Sequence, residues 1–229
     1  MEQKDNASLT TLEQALTIAA TDVQAKEWIS EFALPFKRLM AYYRCAIMEV
    51  ETKFKVLNEN FSIGNDCNHI ESIKTRLKSP QSIIEKMVRC KFPLTVESIE
   101  SNMHDIAGVR VICSFVSDIY MLADALLKQD DVILVEKKDY IAQPKPNGYR
   151  SLHLIIETPI FLENEKRMMC VEVQLRTLAM DTWASLEHKM RYKKDVEITS
   201  QISDELYQCS AVCAELDKRM ELLNRKIGG

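Results

Sequence analysis

Several features that define common enzyme classes are missing from this chain of 229 residues. Its five glycines form neither a Walker A loop nor a GxGxxG fingerprint, and no Gly-x-Ser-x-Gly nucleophile motif occurs. The seven cysteines form no CxxC pair, which predicts reduced thiols and not a disulfide framework or a zinc site. No signal peptide is evident, and no apolar run approaches the roughly 20 residues of a membrane span. We therefore expect a cytoplasmic protein that does not cross a membrane.

The overall charge is also not that of a general nucleic-acid binder. A net charge of −4 argues against wholesale electrostatic binding of DNA or of an anionic membrane. The cations are nevertheless concentrated in residues 74–91, where the single acid is Glu85 and the bases are Lys74, Arg76, Lys78, Lys86, Arg89 and Lys91. This basic segment is where we expect an anion to bind.

The spacing of apolar residues predicts an α+β fold. Helices are expected at 12–18, from Trp28 to Leu57, at 80–88, 95–102, 117–127 and 177–192, and along the heptad-like segment 197–227. Pro35 should start, kink or break the long first helix, and Ser79, Thr95 and Ser117 are expected as caps. Strands are expected at 70–77, 108–115, 132–138, 152–158 (ended by Pro159) and 167–176. The result is a mixed sheet of about five strands flanked by helices.

Two carboxylates occupy positions typical of a magnesium site. Asp105 directly precedes a predicted central strand, and Glu172 lies on the polar face of another strand together with Gln174 and Arg176. Mg²⁺ prefers a few carboxylates plus substrate phosphates. The structural alternative is an Asp that caps a turn and a Glu paired with Arg176 or Arg110.

The basic segment contains a cationic helical face. Ser82, Lys86 and Arg89 are spaced four and three apart, so they share one face of the helix that Pro80 opens. Together with Asp105 and Glu172, this face favours a magnesium–triphosphate site. The alternative is a solvated face without a ligand.

The segment 138–156 combines a turn with basic and aromatic side chains. Two prolines and Asn147-Gly148 predict a pre-bent loop that leads into a strand. Its side chains, suited to stacking a base and holding phosphates, are those of Lys138, Lys145, Asn147, Tyr149, Arg150 and His153. A plain β-turn with a charged surface is the alternative. The His104-Asp105 dipeptide also suggests an HD phosphohydrolase, but the four histidines of the chain provide no second matching context.

Taken together, five motifs in residues 65–195 resemble the RelA/SpoT-type (p)ppGpp synthetases, and the short chain resembles a stand-alone small alarmone synthetase. The motifs are RLKSPxSI (76–83), DIAGVR (105–110), KDYI…PKPNGYRSLH (138–153), VEVQLRT (171–177) and WASLEH (183–188). The resemblance implies a nucleotidyltransferase-like sheet and transfer of pyrophosphate from ATP to the ribose 3′-hydroxyl of GDP or GTP, giving AMP and the alarmone.

The resemblance also implies roles for individual residues. Arg76 and Arg110 would flank adenine, and the ATP phosphates would contact Lys78, Ser82, Lys86 and Arg89. Asp105 and Glu172 would hold Mg²⁺, with Glu172 as the base for the 3′-hydroxyl. Tyr149 would stack on guanine, with Asp181 at the pocket edge, and the remaining contacts to GDP or GTP would come from Lys138, Lys145, Asn147, His153 and Gln174.

The chain is expected to divide into an N-terminal helical region (1–62), a synthetase domain (63–195) and a C-terminal helix (196–229). The N-terminal helices and the C-terminal helix would build a homo-oligomer, which by the resemblance is a tetramer. Packing of the two ends against their own core is the alternative. Regulation by an alarmone or an RNA stays open. Two other functions remain as rivals: an RNA-binding regulator on an inactive synthetase scaffold, and a nucleotidyltransferase that releases pyrophosphate.

Overall fold

The structure, a computed structural model, describes residues 32–63, 68–191 and 199–227. Its helices are α1 (Leu34–Ser62), α2 (Pro80–Cys90), α3 (Val96–Asn102), α4 (Val116–Leu127), α5 (Leu178–Arg191) and α6 (Ser200–Ile227). Its strands are β1 (Ile70–Leu77), β2 (Ala107–Cys113), β3 (Ile133–Asp139), β4 (Leu152–Phe161) and β5 (Lys166–Thr177). The predicted α+β fold with a mixed five-stranded sheet and long flanking helices is confirmed. The helix expected at 12–18 lies outside the described residues.

The five strands form one sheet in the order β1-β2-β5-β4-β3. β2 and β5 run parallel, and the other three neighbouring pairs are antiparallel. On one face the central strands bury alternate apolar residues, among them Val109 and Val111 of β2 and Val171, Val173 and Leu175 of β5. This alternation is the period of a strand with one face against a core.

α1 covers the apolar face of the sheet. It packs on β1, β2, β4 and β5 and also contacts α4. Pro35 lies in its first turn, where proline is tolerated, so of the three predicted outcomes the helix starts there. Its buried side chains recur at helical spacing: Leu39, Met40, Tyr43, Ala46, Ile47, Val50 and Phe54. The apolar core therefore lies between α1 and the sheet.

Strand register aligns polar residues in two rows across the other face. The first row, from edge to edge, consists of Lys74, Arg110, Gln174, His153 and Lys138. The second row consists of Arg76, Gly108, Glu172, Ile155 and Glu136. Neighbours in register project from the same face of a sheet, so nearly all of these side chains share one surface.

The predicted caps of α2 and α3 are confirmed, but two other predicted boundaries are wrong. Ser79 and Thr95 each accept a hydrogen bond from the backbone three residues on. α4 begins at Val116, not after Ser117, because Asp118 accepts from the backbone N–H of Phe115 and so caps the earlier turn. Pro159 lies inside β4 opposite Met168. β3 pairs with β4 only as far as Glu157, so Pro159 is locally at an edge where no donor is required.

α6 packs on α5 and contacts α4, and in its second half Asp217 accepts from Thr177 and Glu221 accepts from the backbone of Ser117. Leu206 and Ser210 are buried, whereas the later apolar positions Leu216, Met220, Leu223 and Ile227 are 47% to 84% exposed. The first half of the heptad-like segment therefore packs within the chain, and the second half presents an apolar surface. Within the described residues, no helix combines the length and the hydropathy that crossing a membrane requires.

Candidate active site

Asp105 lies at the centre of a cationic cluster. It occupies the turn between α3 and β2, beside Lys78 at the end of β1 and Lys86 on α2. The Lys78 Nζ atom is 2.5 Å from Asp105 Oδ2, and the Lys86 Nζ atom is 2.8 Å from Oδ1. The backbone N–H of Lys78 also donates to the Ile106 carbonyl at 2.8 Å, which ties the two turns together.

Both lysines keep Asp105 ionised. Burial alone raises the pKa of this carboxyl, but hydrogen bonds from Lys78 and Lys86 and their charges outweigh burial, and the pKa is lowered. These contacts do not support the alternative in which Asp105 only caps a turn. The carboxylate instead joins two residues that were predicted to bind the phosphates of ATP.

Glu172 lies in the middle of β5 and is paired with His153 of β4. Its Oε1 atom is 3.2 Å from His153 Nδ1. Burial raises the pKa of Glu172. The hydrogen bond and charge of His153, together with a hydrogen bond from Gln174, outweigh burial, so the pKa is lowered. The charge of Asp105 also acts on Glu172, in the raising direction, so the two carboxylates share one electrostatic environment. The alternative pairing with Arg176 or Arg110 is not found, because both arginines pair with Asp181.

The donor set fits a magnesium ion that is completed by its substrate. Among the residues described, no three side chains of His, Cys, Asp or Glu converge as a metal cage. Two ionised carboxylates are nevertheless what Mg²⁺ uses when substrate phosphates and water supply its other ligands. Asp105 and Glu172 would provide those two carboxylates.

The loop between β3 and β4 folds on itself, as the two prolines and Asn147-Gly148 predict. Gly148 donates to the Lys145 carbonyl at 2.8 Å, and Lys145 donates to the Tyr149 carbonyl at 3.1 Å. Gly148 has φ of +88°, a conformation that residues with a side chain rarely adopt. These bonds fix Lys145 and Tyr149 relative to each other. We call residues 140–151 the acceptor loop.

The acceptor loop and β4 build an aromatic cluster. The rings of Tyr140, Tyr149 and His153 meet edge to face, with centroids 5.3 Å to 5.9 Å apart. The Lys145 Nζ atom lies 4.5 Å from the Tyr140 centroid and 5.0 Å from that of Tyr149. The cluster thus offers aromatic rings and a cation side by side, which suits a base attached to phosphates.

A cavity of about 230 Å³ lies next to this cluster. Its lining contains four of the predicted site residues, Lys138, Lys145, His153 and Glu172, together with Glu136, Tyr140 and Ile155. Lys138 pairs with Glu136 at 2.8 Å, at the sheet edge. The cavity therefore joins the predicted base to the predicted acceptor contacts.

Arg176 belongs to the site, although the resemblance implied no role for it. Only 4% of it is exposed, and it donates to the Tyr149 hydroxyl and to Gln174 Oε1. The Tyr149 hydroxyl is 2.7 Å from His153 Nε2. His153 Nδ1 is in turn 3.2 Å from Glu172 Oε1. A chain of contacts thus links Arg176 to Glu172, and the position of Arg176 on the polar face of β5 was the sequence feature that pointed to it.

Asp181 of α5 is held by three cations. Its carboxylate lies 2.8 Å from Lys74, 3.4 Å from Arg110 and 3.3 Å from Arg176. Burial raises the pKa of Asp181, but the hydrogen bond and charge of Lys74 and the charges of both arginines outweigh burial. The pKa of Asp181 is therefore lowered. Asp181 therefore connects Lys74 and Arg110 of the first polar row to Arg176, the residue that donates to Tyr149.

The remaining predicted residues are less tightly grouped. Arg76 is exposed. The pKa of Arg110 is lowered by burial first, then by the charge of Arg176 and also by that of Arg76, so the two residues predicted to flank adenine lie near each other. Arg89 is exposed on α2, and Ser82 shares a hydrogen bond with Ser79 at 3.0 Å. Asn147 accepts from the Tyr149 backbone and donates to Glu187 at 3.3 Å, so it supports the loop.

Comparison with protein-family models assigns residues 75–197 to the region found in RelA / SpoT proteins. The chain belongs to the RelA/SpoT family. A relative within this family, the GTP pyrophosphokinase YwaC of Bacillus subtilis, is 42% identical over 84% of this chain and 91% of its own. The GTP pyrophosphokinase YjbM of the same organism is 35% identical over 84% and 90%. The predicted RelA/SpoT family and enzyme class are confirmed.

Solved structures of RelA/SpoT proteins share this fold. The small alarmone synthetase 1 of B. subtilis, bound to its product pppGpp, superposes with a TM-score of 0.77 at 34% identity. The match covers 85% of this chain and 98% of that one. The agreement therefore extends beyond the region of the family model and includes the flanking helices.

The Asp181 cluster makes stability depend on pH in a defined direction. A carboxyl whose pKa is lowered by folding stabilises the protein above its unfolded pKa of about 3.9, and the contribution is lost as the pH falls through the folded pKa. We expect Asp181→Asn to lower the free energy of unfolding by about 3 kcal/mol at pH 7, because it leaves buried Arg176 without its charged partner. The difference in unfolding free energy between the variant and the unmodified protein should become smaller below about pH 4, where Asp181 begins to be protonated in the unfolded chain.

Urea unfolding at a series of pH values measures this effect. Asp124→Asn, the same change at an exposed position of α4, is the matched control and should change the unfolding free energy by less than about 0.5 kcal/mol. A loss at Asp181 that does not vary with pH would show that the residue acts through packing and not through its charge.

Proposed function

We propose that this chain is a GTP pyrophosphokinase that transfers pyrophosphate from ATP to the 3′-hydroxyl of GDP or GTP and releases AMP. One observation carries the proposal. Glu172 lines the cavity together with Tyr140, Lys145 and His153, and the charge of Asp105, which pairs with Lys78 and Lys86, acts on its pKa. Each half suits one nucleotide, and a carboxylate suited to proton transfer lies between them.

The donor half would bind ATP through charge. Lys78, Ser82, Lys86 and Arg89 would contact its phosphates, and Arg76 and Arg110 would flank adenine. The Nζ atoms of Lys78 and Lys86 lie 2.5 Å and 2.8 Å from the Asp105 carboxylate oxygens. In this proposal, phosphate oxygens of ATP would replace those carboxylate oxygens. Transfer of this kind depends mainly on positioning and on neutralising charge, which such a cationic cluster supplies. Mg²⁺, held by Asp105 and Glu172, would add further neutralisation.

The acceptor half would orient GDP or GTP. Tyr149 would stack on guanine, while Lys138, Lys145, His153, Asn147 and Gln174 would surround the nucleotide or support the loop that holds it. Glu172 would take the proton of the 3′-hydroxyl. The lowered pKa of Glu172 keeps its carboxylate ionised at neutral pH, and the contact with His153 orients that carboxylate.

The same proposal covers assembly and location. The exposed apolar half of α6 would associate with other copies, as a homotetramer in the cytoplasm, with residues 63–195 as the catalytic domain. The ionised Asp105 and Glu172, each engaged by a basic partner, favour a catalyst over an RNA-binding regulator on an inactive scaffold.

The activity is tested by incubating the protein and Mg²⁺ with γ-labelled ATP and GDP or GTP. We expect the label in a guanosine tetra- or pentaphosphate, with one AMP formed for each product. Release of labelled pyrophosphate would instead indicate a nucleotidyltransferase. RNA binding without AMP formation would support the regulator.

Glu172→Gln tests the proposed base. The change keeps the size of the side chain but removes the proton acceptor, so we expect turnover to fall by about 10²- to 10⁴-fold. ATP binding, measured by calorimetry, should change little. Glu163→Gln in the exposed β4–β5 turn is the control and should retain full activity. Loss of binding of both nucleotides in Glu172→Gln would mean that Glu172 is structural.

Tyr149→Ala tests the acceptor half. Removal of the ring should raise the KM for GDP or GTP by about 5- to 100-fold, the range expected when one base loses its aromatic stacking partner. Tyr149→Phe keeps the ring and loses the hydroxyl contacts to His153 and Arg176, so it should be affected less. Steady-state kinetics with each substrate varied would contradict the assignment if the KM for ATP rose equally.

A further inference from the structure

The first half of α6 contacts the acceptor loop, and one of the contacts is a buried hydrogen bond. The Ser210 hydroxyl donates a hydrogen bond to the Gly148 carbonyl, and Ser210 is 6% exposed. The two residues are 62 positions apart in the chain. A helix from the end of the chain is therefore bonded directly to the residue that precedes Tyr149.

The contact at this point leaves no room for a side chain. A Cβ atom on Gly148 would lie 2.7 Å from the Ser210 Cβ and 3.0 Å from its hydroxyl oxygen. The next neighbour is the Tyr207 Cα atom, at 3.5 Å. The loop backbone thus rests against the helix, and the φ of +88° at Gly148 independently excludes most side chains there.

Displacement of Gly148 would move the predicted guanine contacts. Gly148 and Tyr149 are both bonded to the backbone of Lys145, at 2.8 Å and 3.1 Å. The Tyr149 side chain also packs against the small cluster that Trp183, Ala184 and Leu206 form between α5 and α6. Trp183 Nε1 donates to the Leu206 carbonyl at 2.8 Å, which fixes the two helices at this place.

We propose that α6 is part of the acceptor site and that Ser210 is a positioning residue for guanine binding. It acts through the Gly148 carbonyl, which sets the position of Tyr149 and Lys145, and it does not touch the nucleotide itself. This inference rests on the proposed function, because it needs Tyr149 to meet the guanine base. It gives the C-terminal helix a role in substrate binding besides any role in assembly.

Ser210→Ala tests the inference in the full-length protein. Loss of one neutral hydrogen bond to the loop should raise the KM for GTP by about three- to tenfold. The KM for ATP should stay within twofold and kcat within about threefold, because the Asp105 cluster is untouched. Ser203→Ala, the same change two turns earlier in α6, is the control and should leave both KM values unchanged.

Gly148→Ala approaches the same contact from the loop. The added methyl group would meet Ser210 at 2.7 Å, so we expect a larger increase in the KM for GTP than Ser210→Ala gives. The double variant should show less than the product of the two single effects, because both changes disturb one contact. Thermal melting of all variants separates unfolding from a change in affinity.

Several outcomes overturn the inference. An active Ser210→Ala protein with an unchanged KM for GTP would do so, as would equal increases in the KM for GTP and for ATP. A lowered melting temperature with unaltered kinetics would make Ser210 structural only. An unmodified protein that forms no AMP with ATP and GTP would refute the proposed function instead, so the two failures are distinct.

Discussion

The parallel pairing of β2 with β5 is the constraint on which the site depends. It sets Gly108 opposite Glu172 and Arg110 opposite Gln174. Asp105 precedes β2 by only one residue, Ile106, so the same pairing brings this aspartate to the edge of the sheet near Glu172. A slip of one residue would turn each of these side chains toward the apolar core under α1. The buried valines and leucine of β5 therefore fix the register of the polar face.

The polar face is held together by charge as well as by the sheet. Asp181 pairs with cations from β1, β2 and β5, and one of them, Arg176, continues through Tyr149 and His153 to Glu172. The chain of contacts joins residues that we propose bind ATP with residues that we propose bind GDP or GTP. The buried Arg176 and Asp181 lie beside each other with opposite charges, which is the condition under which such groups are tolerated.

Much of this arrangement follows from local sequence. Period-two alternation placed Glu172 and Gln174 together, and the spacing of Ser82, Lys86 and Arg89 gave α2 its basic face. Pairings across long separations do not follow in this way, because alternation defines a face but not its neighbour. Arg176 was visible on the correct face, yet its partners Asp181 and Tyr149 depend on tertiary packing. Pro159 was mistaken for a strand end because the extent of β3 decides whether a proline is tolerated.

α6 carries two surfaces on one rigid element. Its first half bonds to Gly148, and its second half exposes the side chains of Leu216, Met220, Leu223 and Ile227. Burial of the second half by another copy would restrict the motion of the first half, since an α-helix of 28 residues transmits displacement along its length. The apparent affinity for the guanine nucleotide would then rise with enzyme concentration, and the specific activity would fall on dilution.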